Sequence, residues 1–149
     1  MKKIFLLLLV CLIVNSVVFA ESKEQSKNSD EELQIKITAG EVVLDAVLFD
    51  NKTAKDFVKM LPLTVETWHP APNFARAFDL PERIPRYEKP GKSYELGSLA
   101  YWYEGPSIAI IYNASRDETV VPVVPIGKIT SDVSLFFDYG EVITVELKE

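Results

Sequence analysis

ELGSLAYWYEGPSIAIIY, Glu95 to Tyr112, is the stretch that decides the fold class. Leu99 to Tyr103 and Ile108 to Tyr112 are short apolar runs rich in aromatic and β-branched side chains. Glu104-Gly105-Pro106 between them is turn chemistry. Short runs bounded in this way read as paired strands. Downstream, Pro122 to Pro125 leads into the strand pattern Ile126-Gly127-Lys128-Ile129. Ser131 then opens a short helix over Asp132 to Phe137, and Val142 to Leu147 closes the chain with Ile143, Val145 and Leu147 on one face.

Upstream the pattern is the same. Leu33, Ile35 and Ile37 alternate with polar neighbours, and Ala39-Gly40-Glu41 turns the chain into Val42 to Phe49, a β-hairpin signal. Asp50 to Thr53 punctuates. Ala54, Phe57, Val58 and Leu61 then fall at i, i+3, i+4 and i+7, the single apolar face of a short helix. Thr53 with Asp56 resembles a capping box, and Pro62 stops the helix. Leu63 to Trp68 alternates as a strand. His69 to Lys92 carries Pro70, Pro72, Pro81, Pro85 and Pro90 and reads as a long, mostly irregular excursion with a short strand at Phe74 to Phe78. The sum is roughly eight strands and two short helices, a mainly β protein built as a barrel or sandwich.

The chain before Leu33 has a different character. Lys2 and Lys3, the apolar run Ile4 to Val14 and the small-residue ending at Ala20 make residues 1–20 a cleavable signal peptide. Asn15 and Ser16 interrupt the run before it reaches the ~20 apolar residues of a membrane span. Cys11 lies inside the apolar run, follows Val10 and has no lipoprotein setting, so it reads as a small hydrophobe of the signal. Residues 21–32 (ESKEQSKNSDEE) hold no large apolar side chain and read as a flexible polar spacer, with the domain proper at residues 33–149. Export places the mature protein in the periplasm or outside the cell.

Cleavage after Ala20 removes two lysines and the only cysteine. What remains has 14 basic and 22 acidic residues, a formal charge of −8 over 129 residues. Thiol nucleophiles, disulfides and cysteine metal sites are thereby excluded. Nothing offsets phosphate repulsion, so nucleic acid is not an expected partner. His69 is the single histidine, and without a nucleophile beside it no hydrolytic triad can be assembled. One histidine and scattered carboxylates give no metal-ligand cluster, so neither metal nor cofactor is expected.

The order of elements resembles a cyclophilin, and more closely a family of small prokaryotic cyclophilin-like-fold proteins of uncharacterised function. The likeness rests on Leu63 to Trp68, on Glu95-Leu96-Gly97-Ser98-Leu99-Ala100-Tyr101-Trp102, on Ile108 to Tyr112 and on Pro125 to Ile129. It implies a closed eight-stranded β-barrel with a short helix near each end. In true cyclophilins a Phe-His-Arg triplet on an early strand supplies an arginine to the twisting proline amide. Here the corresponding region offers Trp68-His69-Pro70 and Phe74-Ala75-Arg76-Ala77-Phe78, with no such triplet and no matched glutamine strand.

Arg76 shares a strand side with Phe74 and Phe78, which suits a guanidinium gripping an anion or carbonyl in an apolar recess. The competing reading is an arginine snorkelling over the barrel edge to a surface carboxylate. His69 before Pro70 suits a loop or rim residue. Trp68, His69, Arg76, Phe78 and Trp102 form the expected contact set, for a small molecule or an extended peptide. The expected role is a non-catalytic binding module that needs no membrane once the signal is removed. Two other roles stay open. One is a divergent prolyl isomerase using Arg76, with Phe78 and Trp102 as the proline pocket; the other is an accessory docking on another exported protein. Protein recovered from its native host should begin near Glu21 with no lipid attached, as intact-mass spectrometry would show; a Met1 terminus or a fatty acid on Cys11 contradicts this reading.

Overall fold

The strand expected from Leu63 to Trp68 breaks at Thr67, and the two pieces on either side of the break bring together the two ends of one sheet. The computed structural model describes residues 32–149, so the expected signal peptide and all but the last residue of the expected spacer lie outside the described residues. The strands are β1 (Leu33–Ala39), β2 (Val42–Leu48), β3 (Leu63–Glu66), β4 (Trp68–Ala71), β5 (Ala75–Asp79), β6 (Ser98–Trp102), β7 (Ser107–Ile111), β8 (Val124–Ile129) and β9 (Val142–Leu147). One helix, α1 (Lys52–Val58), follows β2, and a 3₁₀ turn spans Ser134–Phe137.

All pairings are antiparallel, in the order β3-β9-β1-β2-β8-β6-β7-β5-β4. β3 pairs with β9 at one end of that order and β4 pairs with β5 at the other, yet the two are consecutive in the chain. The result is a nearly closed barrel. The expected eight strands become nine because the Leu63–Ala71 segment serves two different edges. The second expected helix is a single 3₁₀ turn. Part of the expected irregular excursion is also ordered, since β4 and β5 form a hairpin within it. Pro70 is tolerated there because β4 pairs on one side only, and an edge strand can forgo a donor.

Thr67 and Arg76 hold this seam. The Thr67 N–H donates to the Glu141 carbonyl at 2.7 Å, and its hydroxyl donates to the Gly140 carbonyl. Arg76, reaching across from β5, donates through Nε to the Phe136 carbonyl at 2.9 Å and through Nη1 to Thr67 Oγ1 at 3.2 Å. Only 6% of Arg76 is exposed. None of the ion pairs among the described residues involves it, so it neither lies over the barrel edge nor meets a surface carboxylate.

Inward-facing residues fill the barrel, including Ile35, Ile37, Leu44, Phe78, Ile108 and Val145. Phe57 of α1 caps this core and meets Phe78 with ring centroids 6.3 Å apart. The helix start differs from the expected capping box. Asn51 is the N-cap, its side chain accepting from the Ala54 N–H at 2.8 Å, while Thr53 lies inside the helix and donates its hydroxyl to Glu88. The Glu88 carboxylate also accepts the Lys52 N–H at 2.8 Å, satisfying one of the N–H donors that the first helical turn leaves open. Asp56 turns instead to Lys59 and the Tyr87 hydroxyl.

The glycine of the Pro125 to Ile129 block has a structural reason. Gly127 faces Leu48 across the β2–β8 pairing, and a Cβ there would sit 2.4 Å from the Val47 carbonyl oxygen. Backbone cannot swing aside as a side chain can. Gly127→Ala should therefore push β8 off β2 and cost about 1–3 kcal/mol of stability, the range for overpacking a filled site. Urea unfolding measures it, and an unchanged midpoint would mean that β8 has slack.

Candidate functional site

Period-2 alternation puts Arg76 and Phe78 inside the barrel and leaves Ala75 and Ala77 on its outer face. Ala77 pairs with Ala109 of β7, and Ala109 pairs with Ala100 of β6. Three methyl groups thus lie in one row across three strands, where most sheets carry branched or aromatic side chains. The volume these alanines do not fill is a groove of about 220 Å³. Trp68, Phe74 and Trp102 stand around its floor, and Val121 and Val123 close over one side. No charged side chain lines it.

The walls are fixed by specific contacts. The Trp68 indole N–H donates to Asp79 Oδ1 at 3.1 Å. Trp102 lies against the turn between β6 and β7, where a Cβ on Gly105 would come within 2.4 Å of its ring. Phe74 meets Tyr94 edge to face, with centroids 5.1 Å apart, and the Arg116 guanidinium sits 5.9 Å from the Phe74 ring. The valine flap is tied down as well. Gly91 and Val123 exchange backbone hydrogen bonds of 3.0 and 2.8 Å, and the Thr119 hydroxyl donates to the Val121 carbonyl at 2.8 Å.

Of the five residues expected at the site, two stand together. Trp68 and Trp102 both line the groove. Arg76 and Phe78 do not, because both face the barrel interior; Phe78 is 1% exposed within the core cluster. His69 points elsewhere, its ring 6.3 Å from Tyr112 in an edge contact, with Tyr112 in turn against Phe137. The alanine row was absent from the expected set. Its only trace in the sequence is small residues at alternate strand positions, and their adjacency exists only once β5, β6 and β7 are paired.

Behind Trp102 lies a second cavity of about 360 Å³, lined in part by Arg86, Tyr87, Glu88, Tyr103 and Glu104. Arg86 Nη2 is 2.6 Å from Glu104 Oε1, and its guanidinium stacks 3.9 Å from the Tyr103 ring centre. The hydrogen bond from Arg86 holds the Glu104 carboxyl below its ordinary range, and the same bond raises Arg86. Both side chains are about half exposed, so solvent screens the pair and its contribution is small. Among the described residues no group of three or more His, Cys, Asp or Glu is placed to hold a metal ion.

The sequence matches the family described as the cyclophilin-like family over residues 37–148, from the middle of β1 to just past β9. The chain belongs to the cyclophilin-like family. A hypothetical protein of Archaeoglobus fulgidus, solved in solution, has a similar structure with a TM-score of 0.63. The two are 19% identical, over 78% of this chain and 95% of the archaeal one, which speaks to the fold alone. No curated protein matches the sequence. Within the cyclophilin-like fold, this chain combines an apolar outer groove with an arginine turned to the barrel interior.

Proposed function

We propose that this cyclophilin-like domain is an exported binding module whose outer groove holds an apolar group of a small ligand or an extended peptide without converting it. The observation that carries this reading is the groove itself: an alanine floor between two tryptophans, with no charged side chain. Apolar concavities with few polar groups are where proteins take up small molecules. Export, to the periplasm or beyond the cell, rests on the signal peptide of residues 1–20.

A divergent prolyl isomerase would need a donor aimed at the proline nitrogen and a second group gripping the substrate backbone. Arg76 was the sole candidate donor, and its guanidinium is turned away from the groove to Phe136 and Thr67. Phe78, offered for the proline pocket, is core. Of that set only Trp102 borders the groove. Docking on another exported protein is compatible with the same groove if the partner presents an apolar side chain.

The two tryptophans of the chain are both groove walls, so intrinsic fluorescence reports occupancy without a label. Titration with small apolar compounds and apolar peptides should give a saturable change in emission, and Trp102→Ala should weaken it about tenfold through lost aromatic contact. In a parallel assay the domain should not speed proline cis/trans exchange, which takes roughly tens to hundreds of seconds unaided. Arg76-dependent acceleration of that exchange would overturn the proposal.

A further inference from the structure

We infer that the groove is built for a single uncharged six-membered ring, aromatic or alicyclic, and not for a stretch of peptide backbone. This rests on the binding reading above and narrows it to one class of ligand.

The size sets the first limit. An apolar cavity of about 150 Å³ holds benzene, so 220 Å³ accommodates a ring with a short substituent. Trp68 and Trp102 stand on β4 and β6, three strand steps apart in the sheet order, or about 14 Å at the backbone. The Ala77–Ala109–Ala100 row between them is flat and has no side chain beyond Cβ, which suits a planar or chair-shaped face.

The scarcity of free hydrogen-bonding groups sets the second. β5, β6 and β7 are each paired on both sides, so the floor has no open strand edge to grip a peptide amide. β4 forms the rim at the far end of the sheet order, and Pro70 there has no N–H to give. Two of the lining side-chain donors are engaged, the Trp68 indole with Asp79 and the Thr119 hydroxyl with Val121, and Ser107, whose hydroxyl is a further donor of the lining, is only 2% exposed. A backbone laid across the floor would lose its water and regain too few partners to replace it, a penalty that an apolar ring does not carry. The same argument excludes a charge on the ring, because no countercharge lines the groove.

Three fluorinated probes observed by fluorine NMR separate the cases: 4-fluorobenzyl alcohol, 4-fluorobenzoate, and a capped alanine tripeptide carrying 4-fluorophenylalanine at its centre. The alcohol should bind and shift the indole N–H signals of Trp68 and Trp102. The benzoate should bind at least about tenfold more weakly. The peptide should bind no more tightly than the alcohol, since its backbone gains nothing. Ala109→Leu should abolish binding of the alcohol while leaving the unfolding midpoint near that of the wild type, because the new side chain enters the groove and not the core. A peptide bound tenfold tighter than the alcohol would overturn this inference and leave the binding reading intact. Failure of all three probes to move the tryptophan signals would sink both. Alcohol binding that survives Ala109→Leu would place the ring elsewhere and overturn the inference.

Discussion

The guanidinium of Arg76 ties β5 to Thr67 and to the Phe136 carbonyl at the barrel seam, and the remaining architecture follows from that placement. A sheet that curls almost into a barrel must join edges that are far apart in the pairing order, because unpaired strand edges are a liability. Here the chain does so by breaking one extended segment at Thr67 and sending its halves to opposite edges. Such a corner leaves carbonyls of the neighbouring turn without ladder partners. Arg76 supplies donors to that turn and to Thr67, and Thr67 passes a hydrogen bond to Gly140. Arginine suits this place because its planar fork reaches two acceptors from one side chain.

The same strand explains the groove. Because side chains alternate, a clasp on the inner face of β5 obliges residues 75 and 77 to face outward, and both are alanine. A register slip of one residue would exchange the two faces, exposing Arg76 and burying the floor. The groove and the seam are therefore two consequences of one register, set by five consecutive pairs from Ala75↔Ile111 to Asp79↔Ser107. Membership of the cyclophilin-like family fixes the barrel but not this use of it. In true cyclophilins an arginine serves the substrate; here the arginine nearest the corresponding region serves the fold.

Local features were legible in the sequence. The hairpin around Gly40 announced itself by alternation and a turn residue, and the run from Leu99 to Tyr112 did so by two apolar segments about a Gly-Pro turn. The helix after Asn51 followed from the spacing of Ala54, Phe57 and Val58. Features decided by distant partners were not legible. Glu88, more than thirty residues downstream, helps satisfy the start of α1, so the cap lay two residues before the expected position. The break at Thr67 depends on Glu141 and Gly140. Arg76 and the two phenylalanines near it looked like one face because the strand was expected to begin at Phe74. It begins at Ala75, and Phe74 belongs to the turn and to the outer cluster with Tyr94.

The most direct test of this account is a double-mutant cycle across the seam, with Arg76→Met and Thr67→Val made singly and together and unfolded in urea. Arg76→Met alone should cost about 1.5–3 kcal/mol, the range for hydrogen bonds donated by a charged group. If the two residues form one clasp, their effects should fall short of additivity by about 0.5–3 kcal/mol, as for residues in direct contact. Strictly additive losses, or an Arg76→Met protein as stable as the wild type, would contradict the claim that Arg76 closes the barrel.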